Sequence, residues 1–303
     1  MKNKVVLIGC GNVGMSYVYA LLNQRTNVNE LVLIDVNKEK IEGEVMDLNH
    51  CLAFAPSKID IKAGDYSDCS DATLIVIAAG ANQAPGETRM DLINKNSKIF
   101  KSIVTSVVES KFKGIFLVAT NPLDVMTYLT WKYSGFDSSR VMGTGTSLDT
   151  ARLRYLVGDK LRISPKNVHA YVIGEHGDSE FVPWSNANVG LQAIDNFLDE
   201  KDLSEIELEV KNAAYEIINR KGATYYGIGM CLVMITNAIL SDENRVITVS
   251  NYDKDNDIYM GTPAVVNKSG ITQRIYVELT EKETEKLQHS VDIIKDAINK
   301  INN

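Results

Sequence analysis

The chain has 303 residues and a formal net charge of −7, from 32 Lys+Arg against 39 Asp+Glu. Its 45% hydrophobic and 23% charged content is ordinary for a globular protein, and 20 Gly and 6 Pro are too few for a collagenous or low-complexity chain. The excess of acid argues against nucleic acid as the main partner, and no apolar run approaches the ~20 residues that cross a bilayer. The four cysteines, Cys10, Cys51, Cys69 and Cys231, lack the paired spacing of a zinc site or a disulfide framework. The basic start leads into a short apolar run ending at Gly9 with no small-residue cleavage site, so a reducing, cytoplasmic setting is expected.

In chain order, residues 5–8 form a wholly apolar run, as a buried parallel strand requires. Residues 11–22 read as a helix, 31–34 as a second strand and 38–52 as a second helix. Strands are expected at 59–63, 74–78 and 115–118, with a long helix over 91–111 between the last two. This alternation predicts βαβ units and a doubly wound parallel sheet. The second half reads differently. Helices are expected over 148–157, 202–220 and 225–240, and a strand over 168–173. Residues 246–250, 258–261 and 271–277 look like strands of an antiparallel sheet. A last helix starts at Thr280, where Thr280 and Glu283 have capping-box spacing. The pattern changes near Gly143–Gly145, which divides the chain into residues 1–143 and 144–303. The expected fold is therefore α/β, with a parallel sheet followed by an α+β domain with antiparallel strands.

Residues 9–14 spell GCGNVG, a full GxGxxG between the first strand and the first helix. In that setting Gly9 permits a tight turn, Gly11 lets the backbone approach a pyrophosphate, and Gly14 lets the helix pack close to the sheet. The helix N-terminus adds free N–H groups and a positive dipole end. Asp35 ends the second strand, where its carboxylate can accept from ribose hydroxyls and would repel a 2′-phosphate. NAD rather than NADP follows, in a Rossmann-type domain. A glycine turn needed for packing alone is the plainer alternative.

Of four histidines, His289 reads as a surface residue of the last helix, and His50 beside Cys51 lacks further metal ligands. His176 lies between glycines in Gly174-Glu175-His176-Gly177-Asp178, just past an apolar strand. Asn121 follows the strand at 115–118, where ligands bind in doubly wound sheets. Asp149 and Arg152, three apart at the start of a helix, can present a carboxylate and a guanidinium on one face. Residues 80–89 form a polar loop with Gly and Pro that ends in Arg89 and suits a mobile lid. Each of these alone also fits a structural histidine, a surface ion pair or an ordinary loop.

Together, GCGNVG, AAGANQAPGETR, VATNPLDV, SLDTAR, IGEHGD and GATYYG make the whole chain resemble the bacterial-type L-lactate dehydrogenases of the lactate/malate dehydrogenase family. The resemblance implies reversible hydride transfer between NADH and pyruvate, with no metal. It implies His176 as proton donor and acceptor, Asp149 as the carboxylate that orients it, and Arg152 as the holder of the substrate carboxylate. Arg89 would polarise the substrate carbonyl, Asn121 would hydrogen-bond beside it, and Thr224 would lie next to the substrate. Gln83 falls at the specificity position, where malate enzymes of the family carry arginine. Ile228 would pack on the nicotinamide. Val13, Lys40, Tyr66, Gly80, Ala81 and Ser102 fall where the family lines the cofactor cleft. A malate dehydrogenase, a dehydrogenase for a bulkier 2-hydroxy acid, or a non-catalytic NAD-binding protein of the same fold are the alternatives. The resemblance further implies a homotetramer acting in glycolysis and fermentation. It also implies a fructose 1,6-bisphosphate site at Arg154 and His169, for which the plainer reading is a surface arginine and a buried strand histidine. The first strand begins at about the fifth residue, so contacts like those of the N-terminal arm of animal lactate dehydrogenases are not expected.

Overall fold

A computed structural model describes residues 2–81 and 89–302, the side chains of residues 89–91 and 302 excepted. The first half alternates as the apolar runs dictate: β1 (Lys4–Ile8), α1 (Asn12–Leu22), β2 (Glu30–Ile34), α2 (Lys38–Cys51), β3 (Asp60–Ala63), β4 (Leu74–Ile77), α3 (Arg89–Glu109) and β5 (Ile115–Val118). Then come α4 (Leu123–Ser134), β6 (Val141–Gly143) and α5 (Ser147–Leu161). The six strands pair in parallel in the order β6-β5-β4-β1-β2-β3. Strand order reverses beside β1, so a crevice opens at the carboxyl ends of β1 and β4. Val5, Val6, Leu7 and Ile8 are all buried, because helices cover both faces of the sheet. Each such side chain is worth about 1.5–3 kcal/mol when removed from water.

The second half continues through β7 (Val168–His169), β8 (Asn188–Val189), β9 (Gln192–Ala193), α6 (Glu200–Lys221), α7 (Tyr226–Leu240), β10 (Arg245–Asp253), β11 (Ile258–Asn267), β12 (Gly270–Arg274) and α8 (Glu281–Asn302). The antiparallel strands β10, β11 and β12 do not stand apart. β10 pairs with β6 at Ser250 and Gly143, which makes one nine-stranded sheet of both halves. Gly143 allows this approach, since a Cβ there would lie 2.3 Å from Thr127 Oγ1 and 3.0 Å from Ser250 Cβ. β7, β8 and β9 form a separate small sheet.

Several elements differ from the sequence expectations: strands β6, β8 and β9 were not anticipated, and α5 and β10 run past their expected ends at residues 157 and 250. Helix α4 was not anticipated; residues 123–130 are all buried, so it lacks the one-sided periodicity that marks a helix in sequence. The strand expected over 168–173 shrinks to two residues, because Val172 N–H turns to Thr150 Oγ1 and Gly174 pairs with Gly261. β11 runs six residues past its expected end at Gly261, straight through Pro263. Pro263 accepts Ile275 N–H on the β12 side, so its missing N–H spares the pairing with β10. β12 ends at Arg274 rather than 277, and Tyr276 beyond it is exposed. The α8 start is as read: Thr280 and Glu283 exchange backbone and side-chain hydrogen bonds.

Candidate active site

β1 runs directly into the GCGNVG turn. Gly9 adopts φ +99°, and a Cβ on it would lie 2.4 Å from Ala79 N. A Cβ on Gly14 would lie 2.2 Å from Gly9 O, so α1 can press on the turn only as glycine. At Gly11, the N-cap of α1, a Cβ would meet nothing within 4 Å. Met15 N–H closes the first helical turn on Gly11 O, so the N–H groups before it lie outside the helix's own bonding. Asp35 sits against this turn: its Oδ2 accepts Cys10 N–H at 2.8 Å and its Oδ1 accepts Asn37 N–H at 3.1 Å. Lys40 Nζ donates to Cys10 O at 3.1 Å. Open backbone at Gly11, a helix N-terminus and an adjacent carboxylate fit a dinucleotide with an unphosphorylated ribose.

Gly80 and Ala81 continue from β4 across the crevice. Ala81 N–H donates to Asn96 Oδ1 at 2.8 Å, and Asn96 Nδ2 donates to Asn121 O at 3.1 Å. Asn96, fully buried on α3, thus ties the segment after β4 to the one after β5. Val13 is half-buried on α1, and Tyr66 half-buried in a short 3-10 turn after β3. Ile228 is half-buried in the first turn of α7, and Ser102 is exposed on α3. Gln83 lies outside the described residues. Arg89 opens α3, but its side chain lies outside the described ones too.

Chain-distant residues meet around Asp149. The first turn of α5 carries it, and its carboxylate is buried. Oδ1 accepts from Arg152 Nη1 at 2.7 Å and Oδ2 pairs with His176 Nδ1 at 2.7 Å. His176 rides on a loop that β11 anchors: Gly174 N–H donates to Gly261 O and Gly261 N–H donates to Gly174 O. Gly174, at φ +104°, is needed there because a Cβ would lie 2.6 Å from Ser290 Oγ of α8. Burial opposes charge on His176, but the surrounding carboxyls, Asp149 foremost and then Glu180 and Asp124, outweigh it and lift the imidazole pKa to about 9. Burial also works against the Asp149 carboxylate, yet His176 and Arg152 hold it below the usual range. The imidazole is therefore kept protonated at neutral pH, with Nδ1 committed to Asp149. Asn121 precedes Pro122, which lines the same small recess as His176. Thr224 is half-buried in the turn that leads into α7, where Gly227 packs on Leu148 of α5.

Two acids in this cluster escaped the sequence reading. Asp124, buried in the first turn of α4, accepts His176 N–H at 2.8 Å and Ser250 O–H at 2.5 Å. Burial pushes its pKa up to about 6. Glu180 Oε2 lies 3.8 Å from His176 Nδ1 and the residue is buried. The one available signal was position: Asp124 follows Asn121 by three residues, and Glu180 follows His176 by four.

Residues 3–143 match the sequence model of the lactate/malate dehydrogenase NAD binding domain, and residues 146–303 match that of the family's alpha/beta C-terminal domain. The chain belongs to the lactate/malate dehydrogenase family. Its cofactor is accordingly NAD, which agrees with the fit of the glycine turn and Asp35. Within the family, it is 52% identical to L-lactate dehydrogenase 1 of Bacillus cereus over 98% of this chain and 97% of that one. A lactate dehydrogenase from a Medee basin deep-sea metagenome library superposes with a TM-score of 0.96, at 53% identity and 100% coverage of both chains. The minor L-lactate dehydrogenase of Enterococcus mundtii in its ligands-bound form gives 0.96 at 46% identity, over 99% of this chain and 98% of that one. Among the described residues, no helix is long and apolar enough to cross a membrane.

Proposed function

We propose that the chain catalyses reversible hydride transfer between NADH and pyruvate, giving L-lactate and NAD+. The observation that carries this reading is the Asp149 carboxylate shared between Arg152 and a protonated His176. Similarity to named L-lactate dehydrogenases over nearly the full chain supports it. Gly9, Gly11, Gly14, Asp35 and Lys40 would hold the dinucleotide, with Val13, Tyr66, Gly80, Ala81, Ser102, Asn121 and Ile228 completing its cleft. Bound NADH supplies the hydride.

Arg152 would take the pyruvate carboxylate in a forked pair, which fixes the keto carbon in place. His176 Nδ1–H is held by Asp149, so Nε2 gives its proton to the carbonyl oxygen and takes it back in lactate oxidation. The Asp149 anion stabilises the imidazolium and fixes the ring's tautomer. Arg89 would stabilise charge growing on the substrate oxygen, while Asn121 and Thr224 would line the pocket. Neutral Gln83 disfavours oxaloacetate, whose second carboxylate would be left unpaired in a closed site at a cost of several kcal/mol. The test follows NADH absorbance with pyruvate, oxaloacetate and 2-ketoisocaproate. Pyruvate should give the largest kcat/KM, and Gln83→Arg should raise the oxaloacetate-to-pyruvate ratio. Faster turnover of oxaloacetate by the parent chain would contradict the reading.

The same reading extends to a cytoplasmic homotetramer serving glycolysis and fermentation. Exposed Tyr19, Tyr226 and Met230 line a groove of about 710 Å³ between α1 and α7, and Met46 and Phe54 are exposed on or beside α2; these apolar faces suit further copies of the chain. Fructose 1,6-bisphosphate is the proposed effector. Arg154 stacks over Tyr171 at 4.8 Å and lines a cleft of about 250 Å³ with Lys166 and Arg245, while His169 is exposed rather than buried. The effector should lower the KM for pyruvate, and Arg154→Gln should abolish that response. Superimposable pyruvate titrations with and without the effector would rule the site out.

A further inference from the structure

We propose that Glu180 is a positioning residue that keeps its proton and donates it to Asp149, bracing on a third side the carboxylate that holds His176 and Arg152. The role deepens the reading of His176 as proton donor and rests on it. Asp149, His176 and Glu180 each bring one polar atom within 4.8 Å of the other two. Asp149 is 1% exposed and Glu180 4%, so water does little to screen them.

The loop geometry sets Glu180 there. Residues 174–180 leave and rejoin an antiparallel bridge between Ile173 and Phe181, which returns Glu180 to the imidazole, its Oε2 3.8 Å from His176 Nδ1. From α8, Ser290 Oγ donates to Ser179 O at 2.8 Å and pins the preceding residue. Glu180 N–H donates to Gly177 O at 3.3 Å.

The charge balance decides where the proton sits. The loop brings Glu175, His176 and Glu180, α5 brings Asp149 and Arg152, and α4 brings Asp124. From α7 comes the Cys231 thiol, which burial pushes up to about 12 and so keeps neutral. Four carboxyls thus crowd two cations in a dry space. Two carboxylates in contact cannot both ionise. Asp149 has Arg152 and His176 each at 2.7 Å and the N-terminus of α5 beneath it, all of which favour its anion. Glu180 has only the 3.8 Å approach to His176 among the described ion pairs. The proton therefore stays on Glu180. Burial first, and then the Asp149 charge, raise its pKa well above the carboxylate range.

A neutral Glu180 has two effects. Its O–H occupies a lone pair of Asp149 that neither Arg152 nor His176 uses, so the carboxylate plane and the imidazole are fixed together. It also spares His176 a second adjacent anion, which would bind the proton too tightly to release it to substrate. No atom of Glu180 is consumed in the reaction.

The test compares Glu180→Leu and Glu180→Gln in the full chain, with NADH binding as the check on folding. Glu180→Leu should lower kcat for pyruvate reduction by about tenfold or more, because the dyad loses its brace, while NADH affinity holds. Glu180→Gln, whose amide can still donate, should recover most of that loss. The His176 ring is then titrated by NMR in the free enzyme, a readout that needs no turnover. Glu180→Gln should leave the midpoint within ~0.3 unit of the parent, since one neutral donor replaces another. A midpoint lowered by a unit or more would show that an anion had been removed, and would overturn the proposal. So would parental kcat in a Glu180→Leu variant that binds NADH. If Glu180→Leu does not fold, the titration of Glu180→Gln decides alone. Failure of the parent chain to reduce pyruvate would instead strike the proposed function and leave the titration result intact.

Discussion

The two sides of the cleft are built by opposite means. The phosphate turn is made of backbone: three glycines within six residues, a helix N-terminus and one carboxylate from the next strand. The centre around His176 is made of buried charge gathered from α4, α5 and the 174–180 loop, with a hydroxyl from β10. The first site leaves room, as at Gly11, where a Cβ would meet nothing within 4 Å. The second works by filling room with groups that hold one another's protons, as the two 2.7 Å contacts of Asp149 do. A substitution that enters the ligand's space should therefore act on cofactor binding at the turn, and loss of the proton-bearing ring should act on chemistry at the centre.

The sharpest separation should come from His176→Ala. We expect kcat for pyruvate reduction to fall by at least ~10²-fold, with the NADH dissociation constant unchanged. Stopped-flow turnover and NADH fluorescence titration check the two halves of that statement. Near-normal turnover would remove His176 from its role.

At the turn, Gly11→Val should weaken NADH binding by about tenfold or more and leave thermal stability near the parent's, since its side chain enters only the ligand's space. Gly14→Ala should do the reverse in kind: its Cβ overlaps Gly9 O at 2.2 Å, which should cost about 1–3 kcal/mol of folding free energy. Urea unfolding with and without NADH distinguishes them. Equal destabilisation by both would dissolve the distinction between open and packed glycines.

A further effect concerns Asp124, which serves the centre through the backbone. Asp124→Leu strands His176 N–H and Ser250 O–H and should cost about 2–3 kcal/mol, whereas Asp124→Asn should stay within about 1 kcal/mol of the parent. Denaturant midpoints at neutral pH check the pair.

How legible each side was follows from how local it is. Strand, GCGNVG and helix are contiguous, and Asp35 follows at a fixed distance, so the turn could be read residue by residue. Asp149 and Arg152 share one helix turn, which made their pairing readable, but nothing in residue spacing brings residue 124 or 250 to residue 176. Helix α4 went unread for a related reason. Buried on every side through residue 130, it presents Val125, Thr127, Tyr128 and Thr130 in a strand-like composition, with Lys132 exposed only near its end. The antiparallel strands were read, but not their continuation of the parallel sheet, because a single register pair, Ser250 with Gly143, makes that join.

The most direct test of the charge-built centre is the pH profile of kcat/KM for pyruvate in the parent chain. On the proposed mechanism pyruvate reduction needs the protonated ring, and the carboxyls around it, Asp149 foremost, raise the His176 pKa to about 9, so the proton is present throughout the neutral range and lost only above it. The rate should be flat through neutrality and fall on an alkaline limb with a midpoint near that value, while lactate oxidation, which needs the neutral ring, should rise along the same limb. A limb near the ordinary imidazole value of ~6.5, or no limb at all, would contradict a histidine held protonated by Asp149.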